Sequence, residues 1–310
     1  MVILKKLGYI FGKLFLDKKR EFTVKGKKVL INDCQKIGNY LFKTPLIKGL
    51  SLNGYEVSIL GSVVTKELAE ANPYIKEVII DNSYRKKSFD IFRNIKTGLK
   101  YRNKFDYYIE LVGSIYLREI VLMNLLRAKK IIGIERKHGK FFNLIDKITK
   151  RQNHMRENGI EVLKAFGIKD PGGTYDIFLD NHTKYSKLVK RKPLILYNGV
   201  ASVSSRSISL DDEKKILKNL SKITWAEVKK IEREDSLLDL CSLIKKADLV
   251  VSVDTGIVHI ASAFNIPIIV HKCSENVFPK SNVSIETSLF DNKLHKMAED
   301  ILEYVYTISA

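Results

Sequence analysis

Residues 250–270, VVSVDTGIVHIASAFNIPIIV, constrain the fold of this chain more than any other stretch. The run begins as an apolar strand, breaks on Asp254-Thr255-Gly256, and resumes as a small-residue helix through His259 and Ala261. It ends in a second apolar strand opened by Pro267. Strand, tight polar turn, helix and strand make a βαβ unit. The same alternation recurs along the chain. KKVLIND, YEVSILGS, DYYIELVG, KKIIGIE, KPLILYNG and DLVVSV read as short buried strands, and amphipathic segments such as IYLREIVLMNLLRA and SLLDLCSLIKKA separate them as helices. One helix is expected from GNYLFKTPLIKGLSLNG, ending at Gly54. This pattern predicts an α/β protein with parallel sheets.

The 310-residue length suggests two domains of about 150 residues each. Residues 147–191 are polar, contain Pro171-Gly172-Gly173, and read as the connection between them. The expected division is 1–27 as a basic N-terminal segment, 28–170 and 171–290 as two Rossmann-like domains, and 291–310 as a C-terminal helix capped by Asp291. Ser209, followed by acids, is the expected N-cap of another helix.

The net charge of +19 calls for a polyanionic partner or else reflects a solubilising lysine bias. The basic residues are scattered and are not interleaved with aromatics in one patch, so nucleic acid is not the expected partner. Cys34, Cys241 and Cys273 show no CxxC spacing, which fits reduced thiols and neither a disulfide frame nor a zinc site. No run reaches the ~20 apolar residues of a membrane span. The N-terminus, MVILKKLGYIFGKLFLDKKR, places apolar residues at helical spacing among lysines and has no small-residue cleavage site. It reads as an amphipathic helix lying on an anionic membrane, or packed on the protein's own core.

Ligands of such sheets bind beyond the carboxyl ends of the strands, near helix N-termini. Three loops qualify. Asp254-Thr255-Gly256 offers a helix start, a hydroxyl and close backbone approach to a phosphate, with His259 one turn on and facing the same mouth. A helix cap and a core histidine would use the same residues. NGVASVSSR, residues 198–206, offers Ser202, Ser204 and Ser205 as donors and Arg206 as a bidentate grip, or is a solvated loop. In the first half, Asp33 ends a strand and Lys36, Gly38 and Asn39 follow it into a tight turn. Neither GxGxxG nor GxxxxGK[ST] occurs, which disfavours an ordinary dinucleotide or P-loop site.

IGNYLFKTPLIKGL, EANPYIKEVII, FDYYIELVG, AKKIIGIE, HMRENGIEVLKAFGI and ADLVVSVDTGIVHIASAFNIPIIV together resemble glycosyltransferase family 9, the ADP-heptose:lipopolysaccharide heptosyltransferases and their relatives. The resemblance runs from Lys28 to Val270. It implies a GT-B fold, two Rossmann-like domains with parallel sheets facing across a cleft. It also implies an inverting, metal-independent sugar transfer from a nucleotide-sugar, ADP-linked in the family, with no further cofactor. The acceptor would be the lipopolysaccharide or lipooligosaccharide core, met at the cytoplasmic face of the inner membrane. Asp254, Thr255, Gly256 and His259 match the residues facing the donor's diphosphate and sugar. Ser202 matches a donor-loop hydroxyl, and Arg206 matches the basic residue on the phosphates. Gly38 and Lys36 fall on the acceptor side.

The chain departs from the family in three places. Asn39 stands where the family has the aspartate read as general base, and an amide takes up no proton at neutral pH. Asn39 could orient the acceptor hydroxyl with Asp33 as base, or the chain could be a catalytically degenerate member that binds glycolipid or a partner without turnover. Residues 220–236 are shorter than in the family and imply loss of a strand and loop near the nucleotide base, which leaves adenine specificity open; transfer of another sugar, such as an N-acetylhexosamine or hexose, is the alternative within the enzyme class. After Val270, HKCSENVFPKSN replaces the family's G-P-[ST] stretch.

Overall fold

The computed structural model describes residues 10, 12–19, 22–33, 36–80, 91–111, 117–135, 145–173, 175–202, 204–271, 284–289 and 293–309. The chain divides into two compact units, Met1–Gly172 and Gly173–Ala310.

The first unit is built on a parallel sheet of β1 (Lys28–Asp33), β2 (Glu56–Gly61), β3 (Glu77–Ile80), β4 (Tyr107–Glu110), β5 (Lys130–Ile134) and β6 (Lys147–Thr149). Their order is β3-β2-β1-β4-β5-β6. β1 is central, with Val29 opposite both Val57 and Tyr107, and it is buried after its first residue because helices cover both faces of such a sheet. Around the sheet lie α1 (Ile37–Leu41), α2 (Thr44–Leu52), α3 (Lys66–Glu70), α4 (Ile91–Lys100), α5 (Leu117–Leu126) and α6 (Met155–Ala165). Leu30, Leu60, Tyr108 and Ile131 from the sheet pack with Ile120 and Met123 of α5.

The single helix expected before Gly54 is two helices. Pro45, without an N–H, sits at the start of α2, and the Thr44 hydroxyl donates to the Leu41 carbonyl at 2.8 Å, so α1 stops and α2 begins afresh. Nor are residues 147–191 one irregular connection. They contain β6 and α6, and α6 lies so close to α2 that a Cβ on Gly49 would meet Leu163 at 2.8 Å. The amphipathic N-terminal helix lies largely outside the described residues. What is described there is a single wide turn, Gly12–Leu16, seated on α5.

The second unit holds β7 (Leu194–Asn198), β8 (Glu227–Lys230), β9 (Leu249–Val253), β10 (Ile268–His271) and β11 (Ser284–Glu286), ordered β11-β10-β9-β7-β8 and again parallel. Its helices are α7 (Leu210–Leu220), α8 (Leu237–Lys245), α9 (Gly256–Ala263) and α10 (Leu294–Ser309). Ser209 caps α7 as expected, accepting from the Asp212 amide at 3.2 Å. Asp291 lies outside the described residues. The shortened segment holds one strand, β8, and among the described residues no strand lies outside it, where β3 lies outside β2 in the first sheet. β8 went unread because EVKK is the polar edge of the sheet.

Candidate functional site

In each sheet the chain reverses its winding at one point, between β1 and β4 in the first unit and between β7 and β9 in the second. The crevice beyond the strand ends at such a point is where doubly wound sheets bind ligands.

At the second switch point, β7 ends on Asn198 and β9 runs into Asp254. The Asn198 side-chain amide donates to Ser252 Oγ at 3.0 Å, to Thr255 Oγ1 at 3.4 Å and to the Val200 carbonyl at 3.2 Å. One buried side chain therefore ties both strand ends to the cap of α9. Thr255 is that cap, in extended backbone, and its hydroxyl accepts from the Ile257 amide at 3.3 Å. Gly256 opens the helix, and its N–H belongs to the first turn, which has no intrahelical acceptor.

The loop after β7 closes on itself. The Ala201 amide donates to Ser207 Oγ at 2.9 Å, and the Ile208 amide donates to the Gly199 carbonyl at 2.8 Å. Ser204–Arg206 form a tight 3₁₀ turn that aims the Arg206 guanidinium back over β9, where Nη1 meets Asp254 Oδ2 at 3.2 Å. The Arg206 side chain is 58% exposed and that of Asp254 12%. Ser202 and Ser204 are exposed on the loop, while the Ser205 side chain lies outside the described atoms. The structure thus brings Arg206, Asp254, Thr255 and Gly256 together and puts Ser202 and Ser204 on the rim.

His259 differs from the expectation that it faces the open mouth. It is buried one turn into α9, with its ring edge-on to Tyr175 and the centroids 6.5 Å apart.

At the first switch point, Lys36 is exposed ahead of α1, Gly38 is buried in its first turn, and Asn39 is half-buried beside it. Asp33 is fully buried. Lys43 donates to its Oδ1, and the Thr65 hydroxyl lies 3.4 Å from its Oδ2. Burial pushes the Asp33 carboxyl up from its ordinary value, against the opposing pull of Lys43 and Thr65. A general base must reach the hydroxyl it deprotonates. Asp33 has no exposed surface and both its oxygens are engaged, by Lys43 and Thr65, so in this arrangement it presents no free oxygen to a substrate hydroxyl.

Sequence reasoning missed three members of these networks: Asn198 as a linchpin, Lys43, and Glu110. Glu110 is fully buried at the end of β4 and accepts from Asn32 at 2.8 Å and Tyr108 at 3.0 Å. Each is a polar residue ending or following an apolar run, and that was the available signal. Among the described residues, no cluster of three metal-ligating side chains occurs.

Two parallel, doubly wound sheets, each with a polar network at its switch point, define a GT-B protein of two Rossmann-like units. Residues 207–270 match the model of glycosyltransferase family 9 (heptosyltransferase), a span that takes in Asp254, Thr255, Gly256 and His259 and begins just after Arg206. By fold the chain is similar to the family 9 glycosyl transferase of Veillonella parvula DSM 2008, at 14% identity, covering 90% of this chain and 91% of that one with a TM-score of 0.69. It is equally similar to E. coli heptosyltransferase WaaC with ADP, at 14% identity, 90% and 99% coverage and a TM-score of 0.69. E. coli ADP-heptose lps heptosyltransferase II follows, at 15% identity, 89% and 99% coverage and a TM-score of 0.62. No curated protein matches the chain by sequence. The resemblance to family 9 read from the motifs is borne out over residues 207–270, and the solved heptosyltransferase structures share the fold of the chain.

Proposed function

We propose that this protein transfers a heptose or a related sugar from an ADP-linked donor to the lipopolysaccharide or lipooligosaccharide core, with inversion and without a metal, while peripheral on the cytoplasmic face of the inner membrane. The observation that carries this reading is the Arg206–Asp254 pair poised over the Thr255-capped start of α9, inside or bordering the family 9 segment. In this reading the diphosphate draws Arg206 from Asp254 into bidentate contact, and the α9 amides and the Thr255 hydroxyl donate to its oxygens. Asp254, released, accepts from sugar hydroxyls. The acceptor oxygen bonds to the anomeric carbon, the bond to the leaving phosphate breaks with its electron pair on ADP, and Arg206 and the helix start stabilise that charge. Asn39 orients the acceptor hydroxyl, and its proton passes to Asp33, the acid on the same strand-end loop, once that carboxylate is released from Lys43.

Calorimetry separates the two roles. Arg206→Ala should weaken ADP and nucleotide-sugar alike by ~1.5–3 kcal/mol, the worth of a charged hydrogen bond. Asp254→Ala should weaken only the nucleotide-sugar, because a carboxylate repels a diphosphate and gains nothing from ADP alone. Unchanged nucleotide affinity in Arg206→Ala would remove this site.

A second reading, binding without turnover, is favoured by Asn39 together with the engagement of Asp33 by Lys43. A panel of nucleotide-sugars, including N-acetylhexosamine donors, decides between the two. If the protein turns over, Asn39→Asp should hold or raise the rate. If neither form transfers any sugar while acceptor binding persists, the enzyme reading falls.

A further inference from the structure

α5 carries a neighbour on each flank. On one side Gly12 of the N-terminal turn sits so close that a Cβ there would meet Leu117 at 2.9 Å, and Asn124 donates to the Leu16 carbonyl at 2.8 Å. On the other, Gly98 of α4 leaves no room for a Cβ, which would lie 2.6 Å from Leu125, and Asn94 donates to the Arg118 carbonyl at 2.9 Å. At ~100° per residue, positions 117, 120 and 124 fall on one flank of the helix and 118, 122 and 125 on the other, with Val121 between them. The three elements form one layer, about 20 Å across at usual interhelical spacings.

That layer is apolar where a soluble surface is polar. Ile10, Leu14 and Phe15 are 52%, 66% and 60% exposed, and Phe92 and Leu99 of α4 are 71% and 52% exposed. Between and beside them stand Lys18, Lys19, Arg93, Lys96 and Lys100, all exposed. The one acid among the described residues of these two stretches, Asp17, is buried. Large apolar side chains with exposed cations beside them, and no exposed acid among the described residues of the two stretches, match the headgroup boundary of an anionic bilayer, where rings and aliphatic chains enter and lysines meet phosphates. A nucleic acid would use the cations but gain little from Leu14, Phe92 and Leu99.

We propose that the N-terminal turn and α4 form one bipartite membrane-docking face, which binds the surface of an anionic bilayer through Ile10, Leu14, Phe15, Phe92 and Leu99 and the lysines and arginine around them. Among the described residues no helix is long and apolar enough to cross a membrane, so the contact is with the surface. This inference rests on the membrane-side placement in the proposed function and not on the identity of the sugar.

The test uses the full chain with residues 1–20 intact, sedimented with phosphatidylglycerol–phosphatidylcholine vesicles and with pure phosphatidylcholine. The parent should bind only the former. Phe92→Ser combined with Leu99→Ser, both exposed and outside the donor site, should lower the partition coefficient about tenfold or more, since binding scales with inserted apolar area. ADP affinity should stay unchanged in that variant, which separates failure of this face from failure of the transferase reading. Phe92→Trp should shift its emission to the blue on anionic vesicles, with the folded structure undisturbed. An undiminished partition in the double variant, or an unshifted Phe92→Trp, overturns the proposal. So does binding to RNA but not to vesicles.

Discussion

Tyr197 lies directly under the loop after β7, fully buried, and its hydroxyl has no hydrogen-bond partner among the described residues. Burial, with the nearby Glu213 charge, pushes its phenol well up, so it stays neutral. A Cβ on Gly199 would stand 2.5 Å from that hydroxyl, so Gly199 is glycine because the loop passes over a rigid ring. Tyr197→Phe should be neutral or stabilise by up to ~1 kcal/mol, since it removes an unsatisfied buried group. Gly199→Ala should destabilise, and adding Tyr197→Phe should recover part of the loss. A chemical-denaturation cycle with no coupling between the two would refute the contact. Lys43 and Asp33 make the opposite case. Lys43→Met leaves a buried carboxylate alone, for which ~3–5 kcal/mol is the usual penalty, and adding Asp33→Asn should restore much of it. Equal stabilities of the single and double variants would show the pair to be uncoupled.

At the level of elements, both sheets use one device. Asp106, just before β4, accepts from the Lys28 amide at the foot of β1 at 2.9 Å and from Lys129 at 2.6 Å. Asp248, just before β9, accepts from the Leu194 amide at the foot of β7 at 2.7 Å and from Lys190 at 2.5 Å. Each aspartate pins the strand pair that flanks a switch point, at the end opposite the ligand loops. Burial alone would raise the Asp106 carboxyl, but bonds from Lys129 and the Lys28 amide hold it below its ordinary value. A carboxyl lowered in the folded state contributes stability above its unfolded pKa, and that contribution is lost as pH falls through the folded value. The urea midpoint of the first unit should therefore drop as pH falls below ~4, and Asp106→Asn should flatten that limb while lowering the midpoint at pH 7. An acid limb unchanged in Asp106→Asn would remove the assignment.

These elements also show what was legible. β1, β7 and β9 were readable because buried parallel strands are apolar throughout, and the turn after β9 because its acid, hydroxyl and glycine break such a run. β8 was not, because only one side of an edge strand is paired and its sequence stays polar. α4 was passed over because arginine and lysines interrupt its apolar spacing, and those cations become intelligible only when the N-terminal turn appears on the far flank of α5. The burial of Asp33 was not legible, because sequence gives proximity along the loop but not burial, and burial changes what a carboxylate can do.

For the whole molecule, the two units have separate cores. One is centred on Leu30 and Tyr108, the other on Ile195, Leu249 and Val251. Every described residue assigned to the donor lies in the second, so donor binding acts first on that unit's stability. A ligand at 100 times its Kd adds ~2.7 kcal/mol to any opening that destroys its site. Amides of β7, β9 and α9 that exchange through opening of the second unit should therefore slow about a hundredfold in saturating ADP. Amides of β1 and β4 should slow less, because their opening leaves Arg206 and the α9 start in place. The comparison is made by native-state hydrogen exchange with and without ADP, on the parent and on Arg206→Ala. Loss of the protection in Arg206→Ala would tie it to the loop after β7. Equal protection of both cores, or protection confined to β1 and β4, would place the nucleotide elsewhere and take the donor assignment with it.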